Sequence, residues 1–409
     1  MKPILVSAAK GARQLARKIL GRHARKPTDA FGRKAVPTGK RQHIQVDVCI
    51  LTNCRFPGGN ASSTLDEIRT FAQAGLQVAI VHCPLNRNPV SERYSDWLER
   101  MVHIEDVNTI SCRLLIVRGP RVIMSELIDR LQNSITTRRA AFVINNSAYR
   151  PDGTIIFQWN DLIRKVNSLP WTQKLIFPLG PAIRQEIKDE GLDRYIAIED
   201  WSPTFDEESI PFIERQNMSP PFTIGRHGRD GGEKWLENPR LLRAAYPAGP
   251  SVKVRILGGA DKAADILGSI PDNWTVYPFG AQPVDQFLRD LDAFVYFPHS
   301  DLNEAFGRTI VEAMYSGLPV ILPSRFELTF GNLAIYSNPE NVVDVLYRLS
   351  YDHKKRLKFV RSVREQALSS YGSKSLFSRV PELEINSSRS HPRSLEKSLV
   401  EYKRWIEKG

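Results

Sequence analysis

Apolar residues along this chain gather into short unbroken runs, and between the runs they recur at every third or fourth position. Residues 46–52 (VDVCILT) form the first run, followed by the turn-prone segment Asn53-Cys-Arg-Phe-Pro-Gly-Gly-Asn-Ala61. A helical pattern then covers 63–74, and a second run covers 77–82. Unbroken apolar runs of this length suit strands covered on both faces, which is the situation in parallel sheets. Strand, glycine turn, helix and strand make a βαβ unit, whose first turn lies at the carboxyl end of the sheet, where open α/β folds bind ligands. Further strand-like runs at 113–117, 141–145 and 174–179 alternate with helical stretches near 121–132, 158–168 and 181–190. The spacing predicts one doubly wound domain over 44–200.

A polar passage marked by Ser202-Pro203, Pro211 and Ser219-Pro-Pro221 interrupts the pattern, and a second alternation follows. Strands are expected at 222–225, 252–257, 274–277, 293–297, 320–322 and 334–336, and helices at 233–245, 283–291, 339–349 and 353–370. This predicts a second domain over 201–385, then a linker and a helical pattern at 394–408. The expected class is α/β, with two Rossmann-like doubly wound domains facing across a cleft. No repeat of solenoid period is visible.

A chain of 409 residues with 42% apolar content can bury two ordinary cores. No apolar run approaches the roughly 20 residues of a membrane span. Cys49, Cys54, Cys83 and Cys112 lack the paired spacing of a zinc site, which points to reduced, structural thiols in a cytoplasmic protein. The formal charge of +12 is concentrated at one end: residues 1–42 hold twelve Lys or Arg against Asp29 alone, so the rest of the chain carries a net of +1. A nucleic-acid-binding body keeps its basic stripe on the folded domain, so that class is set aside.

Within the basic leader, Ile4, Ala8, Ala12, Leu15, Ala16 and Ile19 recur at helical spacing, with Lys10, Arg13, Arg17 and Lys18 mostly off that face. Two readings stay open over 1–26. One is an amphipathic helix lying on an anionic membrane surface at the inner face; the other is a solvated leader. Residues 27–40 read as a flexible linker.

Chemistry concentrates in the second domain. The stretch Glu304-Ala-Phe-Gly-Arg-Thr-Ile-Val-Glu312 places two carboxylates on either side of a helix start at Gly307. The amides of Ala305, Phe306, Gly307 and Arg308 suit a phosphate, Glu312 suits ribose hydroxyls, and Glu304 suits the hydroxyls of a sugar beyond. A structural alternative makes both acids ordinary helix-face and dipole partners. The loop Gly225-Arg-His-Gly-Arg-Asp-Gly-Gly-Glu-Lys-Trp235 mixes glycines with Arg226, Arg229 and Lys234, a composition that fits an anion site. Gly58 and Gly59 allow backbone to approach a ligand closely. Asp290-Leu-Asp292 spells a metal-binding D-x-D, but it precedes its strand and so falls at the edge away from the cleft. No metal or other cofactor is expected.

At these residues the chain resembles the retaining GT-B glycosyltransferases of the large family 4 group. The likeness covers about 46–370 and is sharpest in Glu304 to Glu312, which looks like that family's E-x7-E motif. Arg229 and Lys234 resemble its diphosphate clamp, and Phe56-Pro-Gly-Gly59 its N-terminal glycine loop. The resemblance implies metal-free transfer of a sugar from a nucleotide-sugar donor to a glycan or glycolipid hydroxyl, with retention. It assigns Glu304, Arg229 and Lys234 to catalysis, and Gly58, Gly59, Arg226, Ala305, Phe306, Gly307, Arg308 and Glu312 to the donor. It also implies that the base is read by backbone near Pro278-Phe-Gly280. One departure stands out: the region Asn145-Asn-Ser-Ala-Tyr-Arg-Pro-Asp152 lacks the histidine many members place near the sugar, leaving His82 and His103 as candidates. Rival readings are a sugar-nucleotide-binding regulator without turnover and an epimerase of the same architecture.

The surface-lying reading of the leader predicts binding to anionic vesicles that weakens with salt and disappears when residues 1–42 are removed. Equal sedimentation of full-length and shortened protein with the vesicles would refute it.

Overall fold

The computed structural model describes residues 42–55, 58–83, 85, 91, 94, 101–103 and 107–383. The basic leader and the helical pattern at 394–408 lie outside them. The first sheet comprises β1 (Gln42–Thr52), β2 (Val78–His82), β3 (Met101–His103), β4 (Val107–Arg118), β5 (Ile135–Ile144) and β6 (Gln173–Pro178). The second comprises β7 (Phe222–His227), β8 (Val252–Leu257), β9 (Trp274–Tyr277), β10 (Ala293–Val295), β11 (Val320–Leu322) and β12 (Ile335–Tyr336). Their spatial orders are β3-β2-β1-β4-β5-β6 and β12-β11-β10-β7-β8-β9. Counted from its own first strand, each sheet has the same doubly wound order, and the pairings are parallel. The order reverses between β1 and β4 and again between β7 and β10, so each sheet opens a crevice at its carboxyl edge there.

Burial on both faces explains the unbroken apolar runs. In β1, Val48 and Ile50 enter one core while Cys49 and Leu51 enter another beneath the helices Trp159–Ser168 and Pro181–Asp189. The first of these cores is continuous with that of the second domain. All four cysteines are buried with free thiols. Burial pushes the Cys54 and Cys83 thiols up to about 12, which keeps them protonated and unreactive.

Several boundaries differ from the sequence pattern for local reasons. The first helix runs Gly59–Gln73 and therefore begins at the glycines themselves rather than at Ser63. The stretch expected as one helix over 121–132 is two, Pro120–Ile123 and Glu126–Leu131, with the Ser125 hydroxyl donating to the Val122 carbonyl at the break. The expected helix over 233–245 becomes a turn at Gly232–Lys234 and a helix at Pro239–Ala245. Asn238 caps that helix by accepting from the amides of Arg240 and Leu241, and Pro239 fits its first position. β3 was not anticipated, because its apolar run is too short to stand out.

The chain's last described segment returns to the first domain. Helix Ser373–Ser378 meets Gly59–Gln73 through Phe377, edge-on to Phe71 at 6.0 Å, and the Arg379 guanidinium donates to the Ser202 carbonyl. Within the first domain, the Arg118 guanidinium contacts the Glu67 carboxylate at 2.5 Å with both side chains almost wholly enclosed. The Trp201 indole donates to the other oxygen of Glu67 at 3.0 Å. Replacing Glu67 with Leu strands both donors and should cost about 3–5 kcal/mol, the scale for an orphaned buried charge. Urea unfolding measures this, and a loss within experimental error would show that the pair is not needed.

Candidate active site

A cavity of about 1160 Å³ lies between the two carboxyl edges. The first domain contributes Gly58, Gly59 and Asn60 and the segments after β4 and β5. The second contributes the loop after β7 and residues 302–309 with Glu312. Gly307 turns the chain into helix Arg308–Tyr315 with φ +90, and a Cβ there would sit 2.7 Å from Ile310 Cδ1. Glycine is required at this turn, and it brings Glu304 and the helix start to the same wall.

Glu304 Oε2 accepts from Lys234 Nζ at 2.6 Å and from the Tyr296 hydroxyl at 2.8 Å. Burial works against charge on both Glu304 and Lys234, and their mutual attraction outweighs it. Glu304 is held below the usual carboxylate range and Lys234 above the usual ammonium range, so both are ionised at neutral pH. Arg226 stands inside this wall, 2% exposed, with its guanidinium over the Trp235 ring at 4.2 Å and the Tyr296 ring at 4.7 Å. It donates to the Lys234 carbonyl and so fixes the backbone of the turn that carries the lysine. Arg229 borders the cavity and is exposed.

One turn into the helix, Glu312 Oε1 accepts from Arg308 Nε at 2.9 Å, while its Oε2 lies 3.3 Å from His227 Nε2. Burial pushes His227 below the ordinary imidazole value despite the pull of Glu312, so the ring is neutral. The Arg308 side chain crosses to the first domain, donating to Asp66 and, at 3.4 Å, to Ser63 Oγ. Burial opposes its charge, but Glu312 and Asp66 hold it above the usual guanidinium value. Phe306 packs its ring against Phe330 and Tyr371 and borders the cavity.

On the first-domain wall, Gly58 and Gly59 open a 15-residue helix whose start no side chain caps. A Cβ on Gly59 would meet nothing, so the fold itself does not demand glycine there. Asn60 Oδ1 accepts from Arg118 Nε at 3.2 Å and from Asn145 Nδ2 at 2.8 Å. Glu186 collects four donors: Ser147 Oγ, the Ala148 amide, Trp159 Nε1 and, from the second domain, Asn303 Nδ2 at 2.6 Å. This buried carboxylate ties the hairpin after β5 to the residue next to Glu304.

Sequence reasoning missed Tyr296, His227, Glu186 and the Asn60–Arg118–Asn145 group. Glu186 did leave a signal, an acid lying between Ile183 and Ile187 on the buried stripe of its helix. His82 is buried and its Nδ1 accepts the Cys54 amide at 3.2 Å, which steadies the loop after β1. The side chain of His103 lies outside the described residues. Asp290 pairs with Arg255 and Asp292 accepts the Thr223 amide, both before β10 and away from the cavity.

A scan against protein-family models and a search of curated proteins return no match for this sequence. Solved structures do match in shape. HepE of Anabaena, solved with UDP-glucose, superposes with a TM-score of 0.59 at 13% identity, covering 83% of this chain and 99% of its own. Sucrose-phosphate synthase of Thermosynechococcus elongatus gives 0.57 at 12% identity, covering 84% and 98%. The lipopolysaccharide outer core galactosyltransferase WaaB gives 0.51 at 14% identity, covering 83% and 100%. The fold is GT-B. In this GT-B chain the cavity occupies the cleft between the two halves, and no helix among the described residues is long and apolar enough to cross a membrane.

Lys234→Met leaves the Glu304 carboxylate in the wall without its cation. The expected loss is roughly 2–4 kcal/mol near neutral pH, below the full cost of a wholly buried orphan charge. The wild-type contribution is complete above the ordinary Glu value of about 4.3 and fades as pH falls through the depressed value of Glu304. Thermal melts of both proteins from pH 7 to pH 3 check this, with a gap in Tm that widens on acidification as the contrary result.

Proposed function

We propose that this protein is a glycosyltransferase that moves a sugar from a nucleotide-diphosphate donor to a hydroxyl of a glycan or glycolipid, with retention and without a metal. The observation that carries the reading is the wall where an ionised Glu304, Lys234, Arg229, the Gly307 helix start and Glu312 border one cleft. Solved neighbours of the same fold include one in complex with UDP-glucose and another named as a galactosyltransferase, which supports a nucleotide sugar as donor.

The donor diphosphate lies on Arg229, on Lys234 and on the amides of Ala305 to Arg308. Lys234 gives one hydrogen bond to Glu304 and keeps two donors for phosphate oxygens. Glu304 engages both of its partners through Oε2, so Oε1 serves a hydroxyl of the transferred sugar. Glu312, oriented by Arg308, accepts from ribose, and the base lies near Phe279 and Gly280 on the cavity wall. The bond between the anomeric carbon and the diphosphate breaks, and the phosphate keeps the electron pair. The acceptor oxygen bonds that carbon on the same face and passes its proton to the departing phosphate. Arg229, Lys234 and the helix start hold the charge that develops, each donor contributing about 3 kcal/mol. Retention is supported by the first-domain wall, where among the described residues no histidine lines the cavity and the one carboxylate, Asp152, takes the Thr154 amide at the rim. If the leader lies on lipid, it brings the cleft to acceptors held at the membrane.

A panel of radiolabelled nucleotide sugars tests the assignment. The expected result is slow release of free sugar from at least one donor, with Glu304→Gln lowering kcat by about a hundredfold or more while the variant still folds cooperatively, at a Tm lowered by the loss of the Lys234 counter-ion. Donor binding with no turnover, with or without acceptors, would instead identify a regulator, and an inverted product anomer by NMR would overturn retention.

A further inference from the structure

We propose that the acceptor carries an anionic group, a phosphate or a carboxylate, seated on Arg121 and Arg150 of the first domain; the proposal rests on the transferase reading above. β4 and β5 are adjacent parallel strands in register through Arg118 and Val143, so the segments that follow them leave the sheet side by side. Arg121 lies in the short helix Pro120–Ile123 after β4 and Arg150 in the hairpin after β5, and both border the cavity opposite the donor half. Both are exposed, and neither guanidinium makes a hydrogen bond or ion pair among the described residues.

Other cations around the cleft are committed. Arg118 is spent on Glu67 and Asn60, Arg308 on Asp66 and Glu312, and Lys234 on Glu304. Asp152, the acid nearest Arg150 in sequence, is exposed and accepts the Thr154 amide. Arg150 acts on the Asp152 carboxylate through space without forming an ion pair, so two arginines against one acid leave this margin with net positive charge.

The hairpin that carries Arg150 is also a built feature. Glu186 holds its base through Ser147 and Ala148, Ile156 donates back to the Ala148 carbonyl, and Tyr149 bridges to Ile155. Two guanidinium forks on neighbouring segments after β4 and β5 match the paired oxygens that a carboxylate or phosphate presents.

The test uses the full-length protein with UDP saturating the donor half. Binding of glucose 6-phosphate, glucuronate and glucose is compared by titration calorimetry. The charged sugars should bind at least about tenfold more tightly than glucose, and Arg121→Gln and Arg150→Gln should each remove about tenfold, the scale of one charge-assisted hydrogen bond. UDP affinity should stay unchanged in both variants. Preference for glucose 6-phosphate over glucuronate names phosphate as the group, and the reverse names carboxylate. Equal binding of charged and neutral sugars, binding of neither, or charged-sugar binding that survives both substitutions overturns the proposal. Failure of UDP itself to bind would instead strike the transferase reading.

Discussion

A guanidinium enclosed between two domains is costly to desolvate, and Arg308 is such a group. Its charge is sustained by Asp66 on the first domain and Glu312 on its own helix, with the Thr204 carbonyl at 3.4 Å and the Phe205 ring at 4.2 Å completing its surroundings. Removing either acid would leave a buried charge under-compensated, so the relative placement of helices Gly59–Gln73 and Arg308–Tyr315 is tied to the electrostatics of one side chain. The same contact orients Glu312. The position of the first domain and the aim of Glu312 are thus set together.

A second crossing reinforces the first. Glu186 links the hairpin after β5 to Asn303, and Gly180 approaches Ala305 so closely that a Cβ on it would lie 3.0 Å from the Ala305 carbonyl oxygen. Both contacts reach the residues on either side of Glu304. Behind Glu304, Arg226 is stacked between Trp235 and Tyr296 and holds the turn of Lys234. This wall is consequently a chain of enclosed polar groups, each held by the next. Such a network is rigid because any displacement leaves a polar group unpaired in a low-dielectric setting.

The division of charge across the cleft follows from this arrangement. On the second-domain side, positive and negative groups are interleaved along the cavity wall. On the first-domain side, no histidine lines the cavity among the described residues, and Asn60, Arg118 and Asn145 form a fixed polar floor with Arg121 and Arg150 at its margin. Under the proposed transferase reading, donor chemistry and acceptor choice rest on different walls, with Glu186 joining them.

The sequence alone determined the two doubly wound sheets, because a strand buried on both faces must be apolar at nearly every position, as in Val48 to Leu51. It also determined the stretch from Glu304 to Glu312, because a positive φ at Gly307 and an acid one helical turn later leave a fixed spacing in the chain. What only the tertiary structure decided was which charges meet. Arg308 read as a phosphate-facing residue through its amide, and only the fold shows that its side chain also bridges the domains; Arg226 read as a donor contact, and only the fold shows that it also supports Lys234 from within the wall. Glu186 and His227 acquire their partners from elements distant in sequence, and an ion pair or hydrogen bond formed across more than a hundred residues, such as Asn303 to Glu186, leaves no periodicity in the chain. Local patterns record what each residue's neighbours bury, and the pairing of charges across a cleft exists only once the fold has closed.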